Sequence, residues 1–390
     1  MSVNNLTFED AAALLNSLRA QSTGAAALTM VNEADFVSAA TTALKGGLDP
    51  MMNAISQVLG RTIFSVRPYN AKFGGIQLDK QRWGYITRKL AISDKAFTSD
   101  QGYALVDGQA IDQYVVNKPN TLQVNFYGQN TFSKYYTTFK DQLECAFRSS
   151  EEFGNFVTMV TQNALDMIEQ AREDTRRMTI SNFIGGKVTL GAGHVYKTLT
   201  QYAAETGITL TNITVFDPAN FNDFCKWLYA KIAYLSELMS ERTLLFQQQI
   251  TGKEITRHTP KSEQQLYIYA PFLAEMSARV MGDTFHDELI RYDNVEAVNF
   301  WQTPNAPDEI DVTPVYLKTD GTLDSPGSSV QQAGIIGVLF DREAMGVCTM
   351  NESVDVTPFN AAGRYWNTYH SFVERYYNDF TEKGIVLLLE

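Results

Sequence analysis

Between Ser149 and Ile184 apolar and small side chains recur at alternating spacings of four and three. Phe153, Val157, Val160, Ala164, Met167, Ala171, Thr175 and Met178 thereby line one face of a helix. The opposite face is charged, with Glu169 in reach of Arg172 and Glu173 in reach of Arg176 and Arg177 at helical spacing. Ser149 and Glu152 have the form of a capping box, and Gly185-Gly186 is expected to end the element. The pattern predicts a helix over 150–184, about 50 Å long. That is longer than one compact core needs, so the helix is expected to join separate parts.

Upstream, residues 1–60 read as short helices: one after Thr7, a second over 34–44, and a third opened by Asp49-Pro50. None is long enough to stand alone, so the segment is expected to be an arm lying on another surface. Residues 61–118 switch to strand-type patterning with turns at Gly74-Gly75, Gln101-Gly102 and Asp107-Gly108, which predicts an extended two-stranded excursion. Leu122, Val124 and Phe126 alternate with polar residues in a half-buried strand over 121–127. A second strand over 131–137 is expected to pair with it.

From 188 to 333 the pattern is mixed. Asp217-Pro218 opens a helix whose buried face is Phe221, Phe224, Leu228, Ile232, Leu235 and Met239. Strands are expected over 266–270, 295–301 and 312–317, and a helix over 271–280. Then come a buried-type strand over 334–340, an aromatic-rich strand over 364–377 and a final apolar strand over 385–389. The fold class is α+β. The division expected is 1–60 arm, 61–118 hairpin, 119–187 with 334–390 as one domain, and 188–333 inserted as another.

A chain of 390 residues with 44% hydrophobic composition can build real cores, and a net charge of −12 excludes a general nucleic-acid binder. Cys145, Cys225 and Cys348 are scattered without CxxC spacing, which indicates neither a disulfide framework nor a zinc site and fits a reducing compartment. No signal peptide and no membrane-spanning run is expected. His194, His258, His286 and His370 lack ligand spacing, and there is no phosphate loop, dinucleotide fingerprint or nucleophile elbow. Asp283, Asp287 and Glu288 around His286 read as a solvated helix end. The expectation is a protein that is not an enzyme and takes no cofactor or metal.

One feature rises above this background. In 61–98, Arg61, Arg67, Lys72, Lys80, Arg82, Arg88, Lys89 and Lys95 stand against only Asp79 and Asp94, so this stretch carries +6 and the remainder −18. Such segregation points to a hairpin laid on an acidic surface of a neighbouring copy. A solvated basic hairpin and a nucleic-acid finger are the alternatives.

The order of parts, with Gly334-Ile335-Ile336-Gly337-Val338-Leu339-Phe340-Asp341-Arg342-Glu343-Ala344-Met345-Gly346-Val347, Tyr365-Trp366-Asn367 and Tyr377-Asn378-Asp379-Phe380-Thr381, resembles the major capsid proteins of tailed bacteriophages. The resemblance implies the Hong Kong 97-type fold: an N-arm, an extended E-loop, a peripheral domain with a spine helix, and an axial domain. It implies a virion capsid assembled in the bacterial cytoplasm from pentamers and hexamers, enclosing double-stranded DNA, with the eight basic residues contacting neighbouring subunits. Portal, separate scaffolding and decoration proteins are the further partners it suggests. Encapsulin-type protein shells share the fold, and a two-domain α/β enzyme or binding protein is the competing class.

Overall fold

The computed structural model describes residues 8–23, 27–45, 71–79, 87–93, 119–146, 149–283 and 294–390, with parts of 103–116. Two arm helices, α1 (Phe8–Thr23) and α2 (Glu33–Lys45), lie against the start of the long helix. Phe36 sits between Phe8 and Phe153, with ring centroids 6.4 and 5.9 Å apart, and both Phe36 and Phe153 are fully buried. The arm therefore completes its core with the chain's own long helix. The third arm helix expected at Asp49-Pro50 and the beginning of the expected excursion, 61–70, lie outside the described residues.

After a short helix α3 (Lys140–Ala146), the long helix α4 runs over Ser150–Leu190, about 60 Å. An acid from α2 meets its first turn: the Ser150 N–H donates to Glu33 Oε2 at 3.1 Å, and the Ser150 hydroxyl donates to the other carboxylate oxygen. Glu33→Ala is expected to cost about 1 kcal/mol, the usual value of a lost cap. Hydrogen exchange at the amides of 150–153 should read this as faster opening.

Two expectations for α4 are corrected. The helix does not stop at Gly185-Gly186 but five residues later, before Gly191, whose φ of +74° and N–H to the Lys187 carbonyl form the terminal turn. The paired glycines serve close contact: a Cβ on Gly185 would lie 2.5 Å from Val312 Cγ2, and one on Gly186 would collide with the Phe380 ring. The charged face is packed against other parts of the chain. The Glu169–Arg172 and Glu173–Arg177 pairs form, at 2.5 and 2.6 Å, yet Glu173, Arg176 and Arg177 are all buried while Met167, expected inside, is exposed. Arg176 donates to the Ala71 and Lys72 carbonyls at 3.1 and 2.8 Å. Arg177 donates to the Phe300 carbonyl and lies over that ring. The start of the hairpin and the 300 region cover this side of the helix.

The strands are β1 (Thr87–Ser93), β2 (Asn120–Phe126), β3 (Gln129–Phe139), β4 (Val195–Lys197), β5 (Gln264–Tyr269), β6 (Val295–Val298) and β7 (Ile310–Val312). Then follow β8 (Tyr316–Leu317), β9 (Leu323–Asp324), β10 (Val330–Gln332), β11 (Ile335–Asp341), β12 (Met345–Val356), β13 (Tyr365–Asn378) and β14 (Gly384–Leu388). Helices α5 (Thr198–Thr206), α6 (Pro218–Ser240) and α7 (Ala270–Asp283) lie among them. α6 starts at Pro218 and buries all six residues named for its inner face. The stretch expected as one strand over 312–317 is two, β7 and β8, broken around Pro314, which cannot donate to a ladder.

β2 does not pair with β3. It pairs with β1, from Thr87↔Phe126 to Ser93↔Asn120, while β3 runs the length of β13. That longer ladder brings Phe132 onto Phe372 and Tyr135 onto Tyr369, at 5.0 and 5.6 Å. Cross-strand aromatic pairs of this kind stabilise a sheet more than a short hairpin could. β12 completes a sheet of order β12-β13-β3 that packs on α4.

The second sheet has the order β4-β14-β11-β5-β6. β11 and β14, expected in the outer domain with 119–187, are thus hydrogen-bonded to β5 and β4 of the 188–333 stretch. Every residue of β11 and β14 is buried, as the continuous apolar runs required. The three-stranded and five-stranded sheets are therefore joined through 378–384, the short link between β13 and β14.

Candidate functional site

The link 378–384 is where hairpin, long helix, inserted segment and C-terminal strand converge. Asp379, Phe380, Thr381, Glu382 and Lys383 are all buried. Asp379 Oδ1 accepts the Thr381 N–H at 2.9 Å and its hydroxyl at 2.6 Å, which folds the link into a tight turn. The Asp379 N–H donates to the Ala344 carbonyl at 2.7 Å.

Cations from different elements enter this turn. The Lys187 ammonium, near the end of α4, is fully buried and donates to the carbonyls of Phe246, Phe380 and Glu382 at 2.9, 3.4 and 3.2 Å. Burial pushes its pKa down to about 7, against the pull of Asp379 and Glu382. Lys383 donates to the Met239 and Glu241 carbonyls at 3.2 and 2.5 Å and to Thr243 Oγ1 at 3.0 Å, joining the end of α6. Arg257 contacts Glu382.

The remaining cation comes from the hairpin. On β1 the side chains alternate: Arg88, Leu90 and Ile92 are exposed, while Lys89 turns inward. The Lys89 ammonium lies 3.1 Å from Glu343 and 3.2 Å from Asp379, and also contacts Glu382. Burial alone would lower its pKa, but Asp379, Glu382 and Glu343 hold it above the ordinary lysine value. Glu382 is itself raised by burial, with Lys89 and Arg257 opposing.

Of the eight basic residues named from sequence, Arg61, Arg67, Lys80, Arg82 and Lys95 lie outside the described residues. Lys72 is half-buried, with its N–H on Glu173 at 3.3 Å. Arg88 is exposed on the outer face of the stem. Lys89, expected to face a neighbour, is instead engaged within its own subunit. Sequence pattern missed Lys187, Glu343, Asp379 and Glu382. The one available signal was the three charges at Asp379, Glu382 and Lys383 directly before an apolar strand.

The hairpin's outer part is different in chemistry. Residues 99–117 contain Asp100, Asp107 and Asp112 and no Lys or Arg. Tyr103, Tyr114 and Val116 there are 94, 82 and 75% exposed, and Val106 and Ile111 are exposed as well. Among the described residues no group of His, Cys, Asp and Glu could hold a metal ion, and no helix is long and apolar enough to cross a membrane. His194 is pushed down to about 4 by burial and by Lys187.

Two solved structures share this architecture. One is the capsid of Staphylococcus phage Andhra, with TM-score 0.59. The other is a chain in the structure of the head fiber and inner core protein gp22 of native bacteriophage P68, with TM-score 0.58. Each is 10% identical, and each match covers 84% of this chain and 87% of the other. The likeness shows the Hong Kong 97-type fold. Residues 15–386 match the model of the Phi29-like phage major capsid proteins, and the chain belongs to that family. No curated protein sequence matches it.

Proposed function

We propose that this major capsid protein closes as pentamers and hexamers into an icosahedral head around double-stranded DNA, assembled in the host cytoplasm. In this reading 1–60 is the N-arm and 61–118 the E-loop. The β12-β13-β3 sheet with α4 forms the peripheral domain, and the five-stranded sheet with α5 to α7 the axial domain. The observation that supports it is the hairpin tip: five large apolar side chains at Tyr103, Val106, Ile111, Tyr114 and Val116 are exposed on one chain. A surface of that kind is normally covered by a partner. In a shell it is covered by the next copy, and interfaces of obligate assemblies supply about 2,000–5,000 Å² for this purpose.

In this reading Arg88, exposed on the outer face of the stem, and the other basic residues of 61–98 named from sequence apart from Lys89 meet acidic surfaces of neighbouring subunits. Portal, scaffolding and decoration proteins would join as separate partners. Electron microscopy of the purified protein is expected to show closed shells with five- and six-fold capsomers, eluting in the megadalton range. Particles from infected cells should protect DNA from nuclease. A small oligomer of fixed size would overturn the reading.

A further inference from the structure

The stem of the hairpin carries one charge into the interior of its own subunit. Lys89 faces Glu343 from the turn after β11, and Asp379, Glu382 and Tyr377 from the C-terminal segment. Arg257 from the inserted segment and Lys187 from α4 stand behind them. The Asp379 and Glu382 side chains are 1 and 5% exposed. Lys187 directs its donors at carbonyl oxygens, and Arg257 pairs with Glu382, so among the described residues Lys89 is the cation paired with Asp379. The buried Asp379 thus depends for its ion pair on a lysine that belongs to a projecting two-stranded element, an element of marginal stability by itself, and Glu382 shares that lysine with Arg257.

We propose that Lys89 is a releasable pin that fixes the direction in which the hairpin leaves the subunit, and that lifting the hairpin leaves Asp379 without this ion pair and is coupled to uptake of a proton by Glu382. The sign follows from charge. With the pin seated, Lys89 and Arg257 oppose the rise that burial imposes on Glu382. With it lifted, Arg257 alone opposes that rise and Glu382 binds a proton more readily. The lifted state holds more protons, so acid favours lifting. Tyr377, whose phenol burial pushes up to about 12, stays neutral throughout and does not reverse this. Leu122, buried on the inner face of the stem, is uncovered when the pin opens.

The inference rests on the assembly reading only for its consequence in the shell, so the test uses unassembled subunits. Trypsin can cut the hairpin at Lys95, whereas the Lys118-Pro119 bond resists it. In Lys89→Gln the cut at Lys95 is expected about tenfold faster than in the wild type at about pH 7.5, with the rest of the subunit resistant. Lys89→Arg, which keeps the charge, should restore most of the protection. The wild type should lose protection between about pH 7.5 and about pH 5. Should Lys89→Gln fail to fold because Asp379 is left unpaired, Lys89→Gln with Asp379→Asn removes both charges and should fold with the hairpin still open. A hairpin as protected in these variants as in the wild type would overturn the pin. Wild-type subunits that never close into shells would overturn the assembly reading, and the protease comparison would stand.

Discussion

Gly186→Ala is expected to destabilise the subunit, although it should raise helix propensity. In the interior of an exposed helix the same change gains about 1 kcal/mol. Here the added Cβ meets the ring of Phe380, closer than real Cβ contacts come. The ring cannot step back freely. It is 3% exposed and stacked on Phe183 with centroids 5.5 Å apart and planes at 6°. Its carbonyl accepts the Gln248 N–H at 2.8 Å and lies on the Lys187 ammonium. Overpacking of this kind costs about 1–3 kcal/mol or more, which outweighs the propensity gain. Gly186→Val adds two methyl groups in the same space and should give insoluble protein. Gly327→Ala, with open space around it, is the control and should melt like the wild type. Thermal unfolding of unassembled subunits reads the difference. A Gly186→Ala subunit that melts at or above the wild-type temperature would mean that helix and C-terminal link do not touch as described.

The same glycines mark the boundary of what sequence pattern can tell. Read locally, Gly185-Gly186 is a helix stop, because nothing nearby reveals that Val312 and Phe380 press on the helix at that point. The acceptors of Arg176 and Arg177 stay hidden for the same reason: the carbonyls that bind them, at 71, 72 and 300, come from distant stretches. β12 escaped notice because its register shifts between Thr349 and Asn351, so no single period of two runs along it. Its first half is buried and its second half polar and mostly exposed. By contrast α6, β11 and β14 were legible, since a helical stripe or an unbroken apolar run is a local signal that tertiary contacts only reinforce. The basic character of the hairpin was legible as composition. Which of its charges turns inward was not, because the partners of Lys89 are spread over 343, 379 and 382.

At the C-terminal end of α4, the expected result is that the wild type gains stability relative to Lys187→Met as the pH rises from about 7 to about 10. The ordinary lysine value is 10.5, and burial brings Lys187 to about 7 in the folded protein. Between these values the unfolded chain binds the extra proton and the folded one does not, so stability increases with pH across this window. Below it both states are protonated, and the cost of burying the ammonium is present in full. One pKa unit corresponds to about 1.36 kcal/mol, so the window can carry up to about 5 kcal/mol. The three carbonyl acceptors and the carboxylates of Asp379 and Glu382 favour the charged form, and the realised gain is a fraction of that ceiling.

Lys187→Met fills the same channel without donors. It leaves the Glu382 carbonyl without this partner, at about 1–3 kcal/mol for a group left unsatisfied, while the Phe246 carbonyl still accepts the Gly384 N–H at 2.9 Å. At pH 7 that loss is offset by relief from burying the ammonium, and the gap in favour of the wild type should widen toward pH 10. Lysines and tyrosines elsewhere titrate in both proteins and cancel in the difference. His194, which also senses Lys187, changes charge near pH 4, below the window. Chemical unfolding of unassembled subunits at a series of pH values measures the gap. A gap that stays flat or narrows on the alkaline side would show that Lys187 keeps its proton in the folded core.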